Sequence, residues 1–544
     1  MQQHSRTLKR LLVQPAVVMF AIAIGLLLVS IICTHLHRSY NSDDVSWQVV
    51  LFHWRPFSGQ TVSLGSSDNF VDKIPFFFLL EHVFSPGRKL LLLESSILAV
   101  GGFTGFYISA LYFLRKAGVK LQYVTLLPFV WIASFGFAFA QLYLCPIWRG
   151  FETGLSFVTI MLTAMVYYRE VQLRSWLSRT VFVVITAITG LLIYSDPYYL
   201  YFTIGFIGLF WAALRLLRKV SNRQLAIVYG GIVLALLFSK LTAWLSMQAG
   251  IRIVAVYPAQ FVDFETLGHN IIIALHGLLI SFGADFFGKP FSPHLGVIVG
   301  ILNFSLLATL LCTMYRALRG GQLKLSTSAT NLWMAFFSGL AVFVFTVYTV
   351  STLTDISTYR YFFLLVFSGM IVLALLLGKL GPGPVRLFLS ALLILATLGN
   401  VAASLHGSTG YIEPGDLGGN VRNQQNYQFI SALKSRGLKK GYANYWQADI
   451  NTYLSNDAIS FLPSLCSPEG KVTTFHWLID NARFSQPTSR SFFLYDPDIP
   501  NPATCTISQV KDQFGKPAQV LSIADKTVLI YNYDIASKLA PEQH

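Results

Sequence analysis

The sequence predicts a polytopic α-helical membrane protein with about eleven transmembrane helices, closed by a small α/β extracytoplasmic domain at its C-terminus. Three observations carry this prediction. Hydrophobic residues make up 54% of the chain and charged residues only 12%, with a mean hydropathy of +0.56. A soluble domain carries about 25% charged residues, so too little polar surface is left to cover a water-soluble body of 544 residues. The apolar residues arrive in blocks of about twenty, the length that crosses a hydrocarbon core about 30 Å thick. Between the blocks, links rich in Lys and Arg alternate with links that hold few, the bias that marks the cytoplasmic side of a membrane protein.

The first span, 11–34, follows Arg6, Lys9 and Arg10. It is too long for a signal-peptide core and lacks a small-residue cleavage site, so it reads as a retained helix with the N-terminus in the cytoplasm. Further spans fall at 89–113, 122–145, 151–168, 180–195, 198–214, 225–247, 294–315, 332–353, 361–378 and 387–404. Every short inner link then holds at least two basic residues, for instance Arg115 with Lys116, or Arg215 with Arg218. The short outer turns at 146–150 and 354–360 hold one each, and Asp196-Pro197 holds none. Segments 35–88 and 248–293 become long outer loops of a transmembrane domain covering residues 1–404. An odd number of crossings places 405–544 outside. There a Gly-rich stretch, 407–419, leads into helix patterns at 424–437 and 506–514 and β-prone runs near 441–446, 458–462, 491–495 and 527–533, sufficient for a small α/β domain.

The net charge of +15 is distributed as a topology signal, which makes anionic membrane lipids its partners and excludes nucleic acid. No GxSxG, Walker, GxGxxG or HExxH motif occurs, which argues against hydrolase, nucleotide-driven and zinc-protease chemistry. Cys33, Cys145 and Cys312 fall in or beside apolar blocks and read as packing residues. Cys466 and Cys505 both lie in the C-terminal region, where an oxidising compartment would allow them to pair.

Chemistry concentrates in the loops. The first outer loop carries Asp43-Asp44, with His35, His37, Arg38, His53, Arg55, Asp68, Asp72 and Lys73 around them. Adjacent carboxylates near a low-dielectric boundary repel unless a cation, a metal ion or a raised pKa offsets them, and those conditions also suit a general base or a metal ligand. A solvated loop would carry the same charges for solubility. The stretch Val71 to Phe84 is amphipathic and suits the headgroup plane. Asp196, in SDPYY, is either a functional acid at the membrane surface or a turn former. Arg360 can grip a phosphate or snorkel to headgroups. The second loop holds Arg252, Asp263, Glu265, His269, His276, Asp285 and Lys289 around an apolar stretch that reads as re-entrant or interfacial. Glu94 and Lys240 are ionisable groups within or near spans, where such groups are costly. In the C-terminal region Tyr442, Tyr445, Trp446 and Trp477 serve either as core or as sugar-stacking surfaces.

A first span, a long outer loop with an acidic pair and an interfacial stretch, many short-linked spans and a soluble outer C-terminal domain together resemble the GT-C superfamily of polyprenyl-phosphate-sugar-dependent membrane glycosyltransferases. The resemblance implies an inverting transferase that moves a sugar from a polyprenyl-phosphate carrier to an envelope glycan, lipid or protein acceptor at the outer membrane face. It implies that Asp43 or Asp44 is the catalytic base. Arg360, Lys73, Arg252 and Lys289 are the cations that would meet the phosphate, and His53 and Asp196 stand with them as substrate-binding candidates. No cofactor is required; a divalent cation, Mg or Mn, at Asp43-Asp44 is an option left open. The competing readings are a transporter or flippase of lipid-linked or polar substrate, and a polysaccharide polymerase or ligase whose chemistry would sit in 248–293.

Overall fold

The computed structural model describes residues 14–37, 42–65, 70–71, 73–80, 83–84, 88–134, 150–170, 176–254, 260–287, 294–319, 328–406, 419–497, 504–523 and 525–540. In chain order its helices are α1 (Pro15–His37), α2 (Ser42–His53), α3 (Lys73–Leu80), α4 (Arg88–Lys116), α5 (Tyr123–Ala133), α6 (Gly150–Tyr167), α7 (Trp176–Ser195), α8 (Pro197–Leu216), α9 (Asn222–Gln248), α10 (Phe264–Ser281), α11 (Leu295–Arg319), α12 (Ala329–Thr349), α13 (Phe363–Lys379), α14 (Pro384–Leu405), α15 (Gly419–Lys434), α16 (Tyr445–Leu454) and α17 (Ile507–Phe514). The strands are β1 (Val62–Gly65), β2 (Ile251–Val254), β3 (Lys440–Asn444), β4 (Ser460–Cys466), β5 (Val472–Thr474), β6 (Ile479–Asp480), β7 (Ser491–Tyr495), β8 (Gln519–Ile523) and β9 (Lys526–Tyr531). Contacts divide the chain into two compact units. One is Met1–Leu36, Leu92–Lys240 and Tyr257–Gly415; the other is His37–Leu91, Leu241–Val256 and Asp416–His544. The expected division at 404/405 assigned both long loops to the spans. In the structure most of the first loop, and the start of the second, belong with the C-terminal residues, because their helices and strands find hydrogen-bond partners there.

The first unit is a multi-pass membrane bundle. Among the described residues eleven helices are long and apolar enough to cross a membrane: α1, α4, α6 to α9 and α10 to α14. They are not the same eleven read from the sequence. The expected third span, 122–145, coincides with α5 over Tyr123–Ala133, and 135–149 lie outside the described residues. In its place α10 meets the length and composition of a span. Its contacts are unusual for a crossing helix. Asn270 donates to the carbonyls of Thr349 and Ser351, Ser281 donates to Tyr359 O, and Gly277 backs onto Tyr359 and Phe362. Both halves of α10 thus lie along the single link between α12 and α13.

Close packing holds the bundle together where lipid supplies no hydrophobic drive between helices. Glycines let α4 and α6 touch through their backbones: a Cβ on Gly154 would stand 2.2 Å from Gly102 O. Around that crossing Phe106 meets Phe129, Phe157 and Phe367 edge-on at 5.6, 4.9 and 4.5 Å. A short polar chain, Trp131 Nε1 to Asn303 Oδ1 and Asn303 Nδ2 to Asn400 Oδ1, fixes α5, α11 and α14 against one another.

The second unit is built on two sheets. A six-stranded mixed sheet has the order β5-β4-β3-β7-β9-β8, with β3 parallel to both β4 and β7. Apolar clusters pack both its faces, one including Phe429, Phe461 and Phe492, the other Tyr442, Phe493 and Phe514. Cys466 and Cys505 are joined as a disulfide in the second cluster. The smaller sheet, β2-β1-β6, gathers strands from three distant parts of the chain. Gly250 makes its entry turn: φ is +83°, and a Cβ there would lie 1.9 Å from Gln60 O. Only glycine accepts both conditions.

Candidate functional site

In the bundle, a cleft of about 30 Å³ forms where the first turn of α6 meets the Asp196 turn and the 3-10 segment Ile356–Phe362. Glu152, Thr153 and Ser156 line it from α6, Tyr198, Tyr199 and Thr203 from α8, and Arg360 and Tyr361 from the 3-10 segment. The Asp-Pro pair sets this geometry. Asp196 Oδ1 accepts from Tyr198 N at 3.0 Å, Pro197 takes the first helical position, and the next turn widens into a π-helix over Leu200–Ile204. Such widened turns recur at functional sites. Tyr198 then stands edge-on to Tyr361 with ring centroids 4.8 Å apart, and the Arg360 guanidinium lies 5.5 Å from the Tyr361 ring. Thr203 Oγ1 donates to Ser156 Oγ at 3.1 Å. Asp196 is fully buried, Glu152 is 7% exposed and Arg360 is half-buried. A carboxylate and a guanidinium thus line one small polar cleft at the end of a largely apolar bundle, where ionisable groups are rare. The sequence reading missed Glu152. The available signal was an acid in the first turn of a span, where ionisable groups are rare and functional.

The second unit organises the other candidates around α2. Its first turn contains Asp43 and Asp44 and its last residue is His53; the backbone is described, but the side chains of all three lie outside the described residues. Residues expected to form an irregular loop are instead a helix, because Val45, Val49 and their neighbours form an apolar stripe that packs on Leu91, Ile450 and Tyr453. Ser42 anchors its start: Ser42 Oγ accepts from Asp449 N at 3.0 Å. Helix α3 packs beside α2, with Trp47 edge-on to Phe77 at 5.9 Å. Lys73 opens α3 and is only 3% exposed. A buried ammonium is held only beside opposite charge or strong acceptors, so Lys73 is a fixed, desolvated cation at the head of α3. Between α2, α3 and α16 lies an apolar cavity of about 130 Å³ lined by Val49, Phe52, Phe77, Leu90 and Tyr453 among others.

Arg252 is exposed on β2, opposite Ser63 of β1, in the small sheet whose β6 edge α2 packs against. Lys289 lies outside the described residues. The structure therefore brings Arg360 to one cleft with Tyr198 and Tyr199, which follow the Asp196 turn, while Asp196 itself is buried behind it; in the other unit it packs the helix of the acidic pair against the helix of Lys73. Among the described residues no group of three or more His, Cys, Asp or Glu is arranged to hold a metal ion. His276 Nε2 lies 3.4 Å from Asp285 Oδ2 within the second loop. Of the aromatics offered for sugar stacking, Tyr442 and Tyr445 are buried core, whereas Trp446 is 42% exposed.

No family model matches the sequence, and no curated protein does. Solved structures do. The chain is similar to ArnT from Cupriavidus metallidurans in the apo state (TM-score 0.51) and bound to undecaprenyl phosphate (TM-score 0.52). In each case sequence identity is 12%, and the match covers 97% of this chain and 99% of ArnT. At that identity the likeness is one of fold: the chain shares the polytopic membrane fold of ArnT along nearly its whole length.

Proposed function

We propose that this protein is an inverting glycosyltransferase that moves a sugar from a polyprenyl-phosphate carrier to an envelope glycan, lipid or protein acceptor, working at the outer face of the membrane with its N-terminus in the cytoplasm. The observation that carries the reading is the fold shared end to end with ArnT, one of whose structures holds undecaprenyl phosphate. The placement of Lys73 supports it. Helix α3, headed by Lys73, packs beside the helix that carries Asp43 and Asp44, so a cation-bearing and an acid-bearing element are neighbours.

In this mechanism Asp43 or Asp44 takes the proton of an acceptor hydroxyl. The oxygen attacks the anomeric carbon as the bond from that carbon to the phosphate oxygen breaks. Polyprenyl phosphate leaves with the bonding pair, and one displacement inverts the anomeric centre. Charge grows on the departing phosphate, so pre-placed donors do the most work there. Lys73, Arg252, Lys289 and Arg360 are the candidates, with His53 and Asp196 contacting the sugar or acceptor. A divalent ion at the acidic pair would share that task and is not required by this scheme.

The test incubates the purified chain with a panel of polyprenyl-phosphate sugars and measures released polyprenyl phosphate. Neutral substitution of the base should lower the rate by roughly 10²–10⁴-fold. Full activity in both Asp43→Asn and Asp44→Asn removes the pair as base, and transport of substrate without bond cleavage replaces the transferase with a flippase.

A further inference from the structure

Arg360 and Tyr361 line the Glu152 cleft from a 3-10 helix, Ile356–Phe362. In such a helix, side chains three apart eclipse one another. Tyr359 and Phe362 therefore share one face, and Arg360 and Tyr361 project from the others. The face of Tyr359 and Phe362 is where α10 packs. A Cβ on Gly277 would stand 3.1 Å from Tyr359 Cβ and 3.2 Å from Phe362 Cε2, and Ser281 Oγ donates to Tyr359 O at 3.5 Å. Any side chain larger than glycine at 277 thus presses on the 3-10 helix. From the other side α12 closes on the same link. The Tyr348 hydroxyl donates to Asp355 O at 2.7 Å, and the Tyr348 ring meets Phe362 with centroids 4.6 Å apart.

The same contact continues back to the start of the link. Just before α10, Val262 N donates to Val350 O at 3.0 Å and Thr352 N donates to Gln260 O at 2.9 Å, around an antiparallel bridge between Phe261 and Ser351. Farther along, Asn270 Nδ2 donates to Thr349 O and Ser351 O at 2.9 and 3.2 Å. Those carbonyls stand at and just beyond the end of α12, where a helix has no partners of its own to offer. Asn270, Ala274, Gly277 and Ser281 recur at intervals of four, three and four, which places them on one face of α10, and all four are buried. Ile271, Ile272 and Leu275 turn outward and are exposed. Helix α10 therefore spends its one small and polar face on the link that carries Arg360.

We propose that α10 is a clamp that fixes Arg360 in the cleft, with Gly277 and Asn270 as positioning residues. Neither lines the cleft; they act through Tyr359, Phe362 and the backbone of 349–351. For sugar transfer this rests on the proposed function: Arg360 meets the phosphate only while α10 is seated, and a misplacement of about 1 Å costs about 10²-fold in rate. The experiment uses the full chain in nanodiscs with Gly277→Ala, Gly277→Leu and Asn270→Leu, the glycine variants also combined with Arg360→Leu. Hydrogen exchange is read first, without substrate. Gly277→Leu should speed exchange of the Asp355 and Thr358 amides about tenfold or more, as overpacking a close contact does, while α14 amides keep their rates. Gly277→Ala, whose neighbours need yield only slightly, should stay near the unmodified chain. Asn270→Leu should act in the same way on the Val262 and Thr352 amides. In transfer from a polyprenyl-phosphate sugar, Gly277→Leu should lower kcat/KM about 10²-fold, and Gly277→Ala should restore most of it. In the Arg360→Leu background Gly277→Leu should cost little more, because the group it misplaces is gone; a general folding defect would cost the same in both backgrounds. Unchanged exchange in Gly277→Leu, or losses that simply multiply, overturns the proposal. If the unmodified chain transfers sugar from none of these donors, the transferase reading fails, and the exchange comparison alone decides the clamp.

Discussion

Replacing Arg483 with Met removes the positive partner of a carboxylate that has no access to water. Asp449 is fully buried and Arg483 is 2% exposed; the guanidinium lies 3.3 Å from Asp449 Oδ1 and also donates to Thr452 Oγ1, Ser460 Oγ and Phe461 O. Breaking a buried pair from one side costs about 3–5 kcal/mol, because the surviving charge is left uncompensated. Set against a typical domain stability of roughly 5–15 kcal/mol, that is a large fraction. The loss should appear first in α16, which carries Asp449, and should spread to α2, because the Asp449 amide is what holds Ser42. Hydrogen exchange of the full chain in nanodiscs measures it directly. Protection of the α16 amides should fall about a hundred- to several-thousand-fold, and sugar transfer should fall with it as the acidic pair loses its fixed place. Adding Asp449→Asn should recover most of the protection, since both charges are then gone. A change of less than about tenfold in the single variant, or a double variant no better than the single, refutes the reasoning.

Four further outcomes follow from other parts of the structure. Arg360→Leu should lower transfer by roughly 10²–10³-fold if the guanidinium faces developing phosphate charge, while Arg360→Lys retains part of the rate; a kinetic comparison with one substrate decides it. Opening the Cys466–Cys505 disulfide, which closes a separation of 39 residues, should destabilise the C-terminal sheet by about 4 kcal/mol on chain-entropy grounds, read as a lower denaturation midpoint after reduction. Gly250→Ala should cost more than about 2 kcal/mol and loosen the β1–β2 pairing, visible as faster exchange of the Val62 amide that now donates to Gly250 O. Burial pushes the Tyr531 hydroxyl from 10.0 up to about 12. Its neutral form therefore stabilises the fold fully below pH 10, and that contribution is lost as pH rises through about 12. Phenolate absorbance and an unfolding midpoint followed over that window check the sign.

Lipid imposes the strongest constraint on sequence, and the spans were legible for that reason: ten of the eleven read from composition coincide with helices long and apolar enough to cross. Helix α10 was harder, because an 18-residue apolar stretch satisfies both a crossing and a helix laid along a link; only its partners at Thr349 and Tyr359 tell them apart. In the C-terminal region the runs at 491–495 and 527–533 correspond closely to β7 and β9, whose Phe and aliphatic residues are buried. Strand β8, by contrast, is mostly exposed and offered no apolar run to read. The loop that became α2 was unreadable locally because its apolar stripe is completed by Ile450 and Tyr453, far along the chain. Arg360 and Asp196 were visible as isolated charges at the ends of spans, whereas Glu152 was absorbed into the apolar block that surrounds it. The cleft shared by Glu152 and Arg360 depends on the turn at Pro197, which no spacing rule brings opposite residue 360.

The hydrogen bond from the Asp449 amide to Ser42 joins residues 407 apart, and this has a consequence for biosynthesis. At a ribosomal rate of about 5–20 residues per second, roughly 20–80 s separate the emergence of Ser42 from that of its partner. Through that interval α2 has no α16 to lie against and β1 has no β6. A nascent chain can therefore insert its first spans while α2 and β1 still wait for the partners that fix them.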